Sequence, residues 1–236
     1  MSYPLYMFLG ILPSLIWLLF YLRTDSHPES KRMILKIFAF GMLIALPAIL
    51  LETGLKDIFK DLVLPSILIV FLNVFVAIAF IEEILKYSVV ESKALGSSEL
   101  DEPIDIVLYM IIAALGFAAV ENILILFSLG PTCPLEGVFF VGIFRFWTAT
   151  FLHALCSGVL GVFLAMSIFE AKKRKTIFIA GLIMVSLLHG LYNFSIMNTE
   201  RIISWIIPIS ILIFLAVLLF NGFKKLKKLK SVCKLY

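Results

Sequence analysis

The chain has 236 residues, 62% of them hydrophobic, and a mean hydropathy of +1.09. A soluble domain of this size would expose much of that apolar side chain to water, so the composition excludes an ordinary water-soluble globular protein. The formal net charge of +4 comes mostly from basic residues near the ends of apolar segments. We expect these residues to anchor the chain at a lipid bilayer, and we expect no nucleic-acid partner.

Seven apolar segments are long enough to cross a bilayer, because a spanning helix needs about 20 predominantly apolar residues. Backbone in lipid must satisfy its own hydrogen bonds, so each segment is predicted to be an α-helix. The predicted fold is therefore an all-α, polytopic transmembrane helix bundle formed by one domain, 1–236. The segments are Tyr3–Leu22, Met33–Leu51, Leu64–Val90, Ile104–Leu129, Val138–Phe169, Thr176–Met197 and Ile202–Phe223.

The distribution of lysine and arginine predicts the orientation of the bundle. Basic residues follow segments one, three, five and seven, and the last group forms a basic tail, 223–236. The opposite side has only Lys56, Lys60 and Arg201. Because cytoplasmic loops carry the excess of positive charge, the amino terminus is predicted to lie outside and the carboxyl terminus in the cytoplasm.

Segment three carries two adjacent acids and a lysine, Glu82, Glu83 and Lys86. A charged residue at the centre of a membrane segment costs ~2.5–3.5 kcal/mol on insertion scales, so such residues are usually functional. Spacings of three and four residues place the lysine beside both acids on one helix face. A self-neutralising ion pair would explain one acid and the lysine, but it leaves the second glutamate unexplained.

Segment four places Glu121 and Asn122 after a stretch of small residues, 113–116. Small residues let membrane helices approach closely, so this segment is predicted to pack tightly against a neighbour. The acid and the amide either form interhelical hydrogen bonds or take part in chemistry, and the sequence leaves both roles open.

Segments five and six add basic and amide side chains. In segment five, Arg145, Ala149, His153 and Ser157 follow one face in four-residue steps. In segment six, His189 and Asn193 share a face for the same reason. Four apolar segments thus carry acid, base and amide groups, which predicts a polar site inside the bundle.

Together these motifs resemble the PrsW family of intramembrane proteases, which is similar to the type II CAAX prenyl endopeptidases and to the APH subunit of γ-secretase. The motifs are, in order, Glu82-Glu83-x-x-Lys86, Phe117-x-x-x-Glu121-Asn122, a mid-helix His153 and His189-x-x-x-Asn193. The resemblance covers a motif core at 80–193. In the prenyl endopeptidase branch the second motif presents a histidine, and either His153 or Glu121 takes that place here.

The resemblance implies a membrane-embedded protease in a prokaryotic cell membrane. Its expected substrate is another membrane protein, such as a membrane-anchored anti-sigma factor or a signalling precursor. The resemblance also implies that His189 and Asn193 bind the oxyanion. The candidate catalytic residues are Glu82, Glu83, Glu121, His153, His189 and Asn193, with Lys86, Asn122 and Arg145 in supporting roles.

The residue types favour a glutamic-type hydrolysis. Peptide hydrolysis needs a base for water, donors for the oxyanion and an acid for the leaving amine. The aspartates fall in or beside loops, which disfavours an aspartyl dyad. We predict that Glu82, assisted by Glu83 or a histidine, activates water, and that Lys86 and Arg145 compensate charge.

Three alternatives remain at this stage. Glu82, His153 and His189 would also supply three zinc ligands, although no HExxH pattern is present and a reaction without a cofactor is preferred. Buried acids and bases also form proton or ion pathways in transporters. A catalytically inactive, APH-like scaffold is the third alternative.

The predicted orientation can be tested with reporters of membrane topology. A reporter fused after Tyr236 is expected to behave as cytoplasmic, and one inserted within 129–136 as external, because the basic residues concentrate on the tail's side. A paired alkaline phosphatase and fluorescent-protein assay measures both positions. The opposite pattern at both positions would contradict the orientation.

Overall fold

The structure is a computed structural model that describes residues 3–23, 29–130, 133–198 and 202–229. These residues form nine α-helices, one π-helical stretch and a 3₁₀ turn, without a strand. The helices are α1 (Tyr3–Leu22), α2 (Lys31–Lys60), α3 (Ser66–Phe71), α4 (Ile81–Lys93), α5 (Pro103–Ser128), α6 (Leu135–Trp147), α7 (Ala149–Phe169), α8 (Arg174–Asn198) and α9 (Ile203–Leu226). The π-helical stretch is Leu72–Phe80 and the 3₁₀ turn is Ala171–Lys173.

Seven helical stretches among the described residues are long and apolar enough to cross a membrane. Two of them combine shorter elements: α3, the π-helical stretch and α4 run continuously over Ser66–Lys93, and α6 with α7 covers Leu135–Phe169. The predicted all-α bundle with seven membrane spans is therefore confirmed. The last residues of the predicted basic tail, 230–236, lie outside the described residues.

Helix α5 forms the centre of the bundle. Nearly every side chain from Pro103 to Ala119 is buried, and α5 packs against α1, α2 and α7. A helix that is apolar around its whole circumference is expected in such a central position. The surrounding helices expose large apolar side chains, such as Leu50, Phe140 and Ile213, on their outer faces, as lipid contact requires.

Helices α2 and α5 cross at very close range. A Cβ atom added at Gly41 would lie 2.2 Å from the Ala113 carbonyl oxygen, and one added at Gly116 would lie 2.2 Å from the Phe38 carbonyl oxygen. This crossing lies at the small-residue stretch 113–116, where the sequence predicts close packing. It holds the second half of α2 beside the polar side chains of the core.

The structure differs from the sequence prediction at two helix boundaries. Helix α2 continues to Lys60, whereas the apolar segment predicted from the sequence ends at Leu51. No proline interrupts the chain between Pro47 and Pro65, so the helix continues past its apolar part and keeps its backbone hydrogen bonds satisfied.

The second difference is a break in predicted segment five. Thr148 has φ −118° and ψ −87°, which separates α6 from α7. Its hydroxyl donates a hydrogen bond of 2.6 Å to the Phe144 carbonyl oxygen. Back-bonding of this kind competes with the helical ladder and bends helices, and apolar periodicity does not reveal it.

The close crossing gives a stability prediction. Gly41→Ala is expected to lower the unfolding temperature in detergent markedly. The added methyl group would clash with the backbone of α5, and the two helices would have to move apart to relieve the clash. Gly54→Ala is the matched control in the same helix, since nothing lies within 4 Å of its added Cβ atom. Equal unfolding temperatures for the two variants would contradict the importance of the crossing.

Candidate active site

The helix that carries the first motif changes its geometry immediately before the two glutamates. The π-helical stretch ends at Phe80, and Glu82 and Glu83 lie in the first turn of α4. π-Helical turns inside α-helices occur frequently at functional sites. A Cβ atom added at Gly190 would lie 2.4 Å from the Phe75 ring, so α8 packs directly on this stretch and brings His189 next to α4.

Lys86 lies at the centre of the polar cluster and is fully buried. Its Nζ atom lies 3.0 Å from Glu82 Oε2, 2.9 Å from Glu83 Oε1 and 2.8 Å from His153 Nδ1. It also lies 4.5 Å from the centroid of the Phe117 ring. An ammonium group has donors only, so His153 Nδ1 accepts in this contact.

The other nitrogen of His153 is thereby assigned as the donor. Nε2 lies 2.7 Å from Glu121 Oε2 and donates to that carboxylate. Glu121 is also paired with Arg145, whose Nη2 lies 3.1 Å from the same oxygen. A carboxylate on one ring nitrogen fixes the tautomer and the orientation of an imidazole.

His189 is oriented in the same way by a different carboxylate. Its Nδ1 lies 3.0 Å from Glu83 Oε1 and donates to it. Ser157 Oγ donates to the other oxygen, Glu83 Oε2, over 2.9 Å. With Lys86 as a third partner, Glu83 is fully buried and surrounded by donors. Its carboxylate therefore connects α4 to α7 and α8 inside the core.

The remaining nitrogens of the two histidines both point towards Glu82. His153 Nδ1 lies 3.6 Å and His189 Nε2 lies 3.9 Å from Glu82 Oε2. Ligand atoms of Glu82, Glu83, His153 and His189 all lie within 4.8 Å of one another. Imidazole nitrogen and carboxylate oxygen are suitable zinc ligands, and metal-binding histidines usually donate their second N–H to a carboxylate, as both do here. These residue types fit a zinc ion, and His153 Nδ1 would bind it only after the Lys86 ammonium leaves that nitrogen.

Asn122 connects three further elements next to this group. Its Nδ2 donates to Thr150 Oγ1 of α7 over 2.9 Å and to the Gly10 carbonyl oxygen of α1 over 3.4 Å, and its Oδ1 accepts from Arg145 Nε of α6 over 2.6 Å. Asn122 and Glu121 together hold the Arg145 guanidinium, which fixes the end of α6 beside α5. Asn122 and Arg145 therefore lie directly beside the polar cluster.

A cavity of about 420 Å³ opens from the polar cluster towards the last turns of α2. Five of the six predicted catalytic residues line it, and the sixth, Glu83, is buried behind its wall against His189. The five are Glu82, Glu121, His153, His189 and Asn193. The sequence-predicted residues therefore converge on one place although they come from four predicted segments.

Two charged residues of the cavity were not among the sequence candidates. Glu52 and Lys56 of α2 line the same cavity. Their four-residue spacing is visible in the sequence, but both residues lie beyond Leu51, where the predicted apolar segment ends. Only the continuation of α2 past Leu51 brings them to the site.

Buried acids, imidazoles and an amide beside a cavity, within a bundle of membrane-spanning helices, are the groups that an intramembrane hydrolase requires. A family model described as "PrsW family intramembrane metalloprotease" matches residues 29–221. The chain belongs to this family.

Three relatives, each named "Protease PrsW", show how much of the chain is similar. The relative from Geobacillus kaustophilus (strain HTA426) is 29% identical over 193 residues, which cover 81% of this chain and 80% of the relative. The one from Bacillus subtilis (strain 168) is 29% identical over 225 residues, 94% of each chain. The one from Clostridioides difficile (strain 630) is 28% identical over 230 residues, 93% and 89% of the two chains. No solved structure matches the chain.

Family membership confirms the prediction of a membrane-embedded protease over the transporter and the inactive scaffold. The chain is an intramembrane endopeptidase and an integral, multi-pass membrane protein, and its relatives are bacterial. A protein in the membrane is the kind of substrate that such a protease cleaves.

The buried lysine gives a prediction about stability. Lys86→Met leaves Glu82 and Glu83 buried without their ammonium group, and breaking such a pair costs about 3–5 kcal/mol. We expect a large loss in unfolding temperature in detergent. Adding Glu83→Gln should recover part of that loss, because a neutral amide needs no counter-charge.

Lys56→Met is the matched control for the lysine substitution. The Lys56 side chain is 40% exposed and pairs only loosely with Glu52, at 3.8 Å, so its loss is expected to cost little. Equal destabilisation by Lys86→Met and Lys56→Met would contradict the central role of the buried lysine.

Proposed function

We propose that the chain hydrolyses peptide bonds of membrane-anchored proteins at Glu82, His153 and His189, and that these three residues hold a divalent metal ion such as zinc. The orientation of the two histidines supports this proposal most directly. Each donates one N–H to a separate carboxylate, and each turns its other nitrogen towards Glu82 Oε2. When bound, the metal supplies Lewis-acid activation of a water molecule.

Glu82 is the proposed base. Its Oε2 contacts Lys86, whereas its Oε1 makes no hydrogen bond to any described residue and belongs to a side chain that lines the cavity. Water entering from the cavity can transfer its proton to Oε1. The resulting hydroxide attacks the carbonyl carbon of the peptide bond. Glu82 then acts as a general acid and donates the same proton to the leaving amine.

Asn193 is the proposed donor to the oxyanion. It lies one helical turn after His189 on the same face of α8 and lines the same cavity. An amide N–H aimed at the developing oxyanion contributes about a hundredfold or more to the rate. His189 Nε2 carries no hydrogen while Nδ1 donates to Glu83, which favours a ligand role for this nitrogen over the oxyanion role implied by resemblance.

A metal-free, glutamic-type reaction is the second candidate, and one observation favours it. The Lys86 ammonium contacts Glu82 Oε2 and His153 Nδ1, so a cation already serves two of the three donors. In this version Glu82 remains the base, Lys86 offsets its charge, and Asn193 donates to the oxyanion, joined by His189 only when its imidazole carries a proton on both nitrogens. The two candidates share the same catalytic glutamate and differ in metal content.

The cavity also constrains the substrate. A peptide bond inside an α-helix is hydrogen-bonded within the helix and surrounded by side chains, so it is poorly accessible to a water molecule and a base. The cleaved segment therefore enters the cavity in an unwound form. We propose that it lies at the end of the substrate's span, as in membrane-anchored anti-sigma factors or signalling precursors, and that the motif core 80–193 forms the catalytic unit.

The test combines cleavage with metal analysis of the purified protein in liposomes. Glu82→Gln, His153→Gln and His189→Gln should each lower the rate on a transmembrane peptide by about a hundredfold or more. The wild type should carry about one zinc ion per chain by mass spectrometry, as a three-ligand site holds one, and each variant should lose it. Glu136→Gln, at an exposed position of α6, is the control and should behave as the wild type.

Chelation separates the two candidates. Loss of activity on chelation and its recovery with zinc would support the metal-dependent reaction. Full activity in metal-depleted protein would support the glutamic-type reaction. An active Glu82→Gln variant would contradict both.

A further inference from the structure

The end of the cavity that lies farther along α2 carries a charged pair that the catalytic mechanism does not use. Glu52 and Lys56 line this cavity together with Glu82 and Asn193. Their side chains are 14% and 40% exposed, so the carboxylate is the more buried partner. The closest N–O distance between them is 3.8 Å.

That distance leaves Glu52 without a hydrogen bond among the described residues. A charge-assisted hydrogen bond spans about 2.7–2.9 Å, so a contact of 3.8 Å is an ion pair without one. An ionised carboxylate has four acceptor positions. A mostly buried carboxylate with unused acceptors is stabilised by any donor that reaches it, especially a cationic one.

The other cavity-lining carboxylates are already compensated. Glu121 is paired with Arg145 and accepts from His153, and Glu82 accepts from Lys86. Glu52 has only the loosely held and half-exposed Lys56. Of the three acids on the cavity wall, Glu52 is therefore the one whose charge is free to attract an incoming group.

We propose that Glu52 is a specificity-determining residue that binds a lysine or arginine of the substrate, and that Lys56 is its exchangeable partner when no substrate is present. This inference rests on the proposed use of the cavity as the peptide-binding site. Glu52 lies eight residues before the end of α2, which is about 12 Å along a helix. A lysine or arginine at the end of the substrate's span can reach Glu52 from the membrane surface, because its long apolar stem extends into the bundle while its charged group contacts the carboxylate.

The preference would restrict the choice of substrates. In the predicted orientation, α2 ends at the external side of the membrane, where short loops of membrane proteins carry few lysines and arginines. A requirement for a basic residue beside the cleaved bond on that side would exclude most membrane spans. The selected substrates would be those with a basic residue just outside, or at the outer end of, their apolar segment.

The test uses transmembrane peptides that share one apolar span and differ in the adjoining segment, in which each position in turn is Arg, Gln or Glu. Cleavage by the full-length protein in phosphatidylethanolamine and phosphatidylglycerol liposomes is followed by mass spectrometry. At one position the wild type should show kcat/KM roughly tenfold higher for Arg than for Gln. Glu52→Gln should bring this ratio close to one, and Glu52→Lys should shift the preference to Glu.

Two further variants sharpen the result. Lys56→Gln removes the competing cation and should increase the Arg-to-Gln ratio, which provides a second test if Glu52 variants fold poorly. Asp57→Asn, at an exposed position of the same helix, should leave the ratio at the wild-type value.

Two outcomes would overturn the inference: an Arg-to-Gln ratio that survives Glu52→Gln, or a wild type indifferent to charge at every position. Failure of the proposed mechanism has a different signature. It would show as cleavage by Glu82→Gln, and the ratio could still be measured in that case.

Discussion

The structure depends on one interaction, the contact of the buried Lys86 ammonium with two carboxylates and an imidazole. Ionised groups cannot remain unpaired in a medium without water, so each of these residues requires the others to stay in place. The contacts continue outward from Lys86: Glu83 holds His189 of α8, and His153 of α7 holds Glu121 of α5. Glu121 then pairs with Arg145 of α6. A connected network therefore fixes five helices relative to one another, with each member satisfied by the next.

The same network prepares the histidines for chemistry. Because Glu121 and Glu83 each accept one imidazole N–H, both rings are already oriented with their opposite nitrogens directed at Glu82, and that of His153 also accepts from Lys86. Groups held in this way need little reorganisation during a reaction, which is the main source of catalytic power in a site of low polarity. Helix α2 supplies the remaining wall of the cavity, and its close crossing with α5 at Gly41 and Gly116 determines how near Glu52 comes to the site.

The architecture and the identity of most candidate residues could be predicted from the sequence for physical reasons. An apolar run of about 20 residues has only one stable conformation in lipid, and an ionisable residue inside it needs a partner. That reasoning selects Glu82, Glu121, His153 and His189, all of which line one cavity. The pairings were not predictable, because spacing along one helix does not specify which residue of another helix lies opposite. The break at Thr148 and the inclusion of Glu52 depend on side-chain back-bonding and on helix packing, neither of which leaves a periodic signal.

The most direct test of the proposed site is zinc K-edge X-ray absorption on the purified, zinc-loaded protein, because it reports the ligand atoms independently of any substrate. For a metal held by Glu82, His153 and His189, we expect a nearest shell of nitrogen and oxygen with the scattering signature of two imidazoles. His153→Gln should remove one of the two. A zinc spectrum without imidazole, or one that is unchanged in both His153→Gln and His189→Gln, would contradict a metal site at these residues.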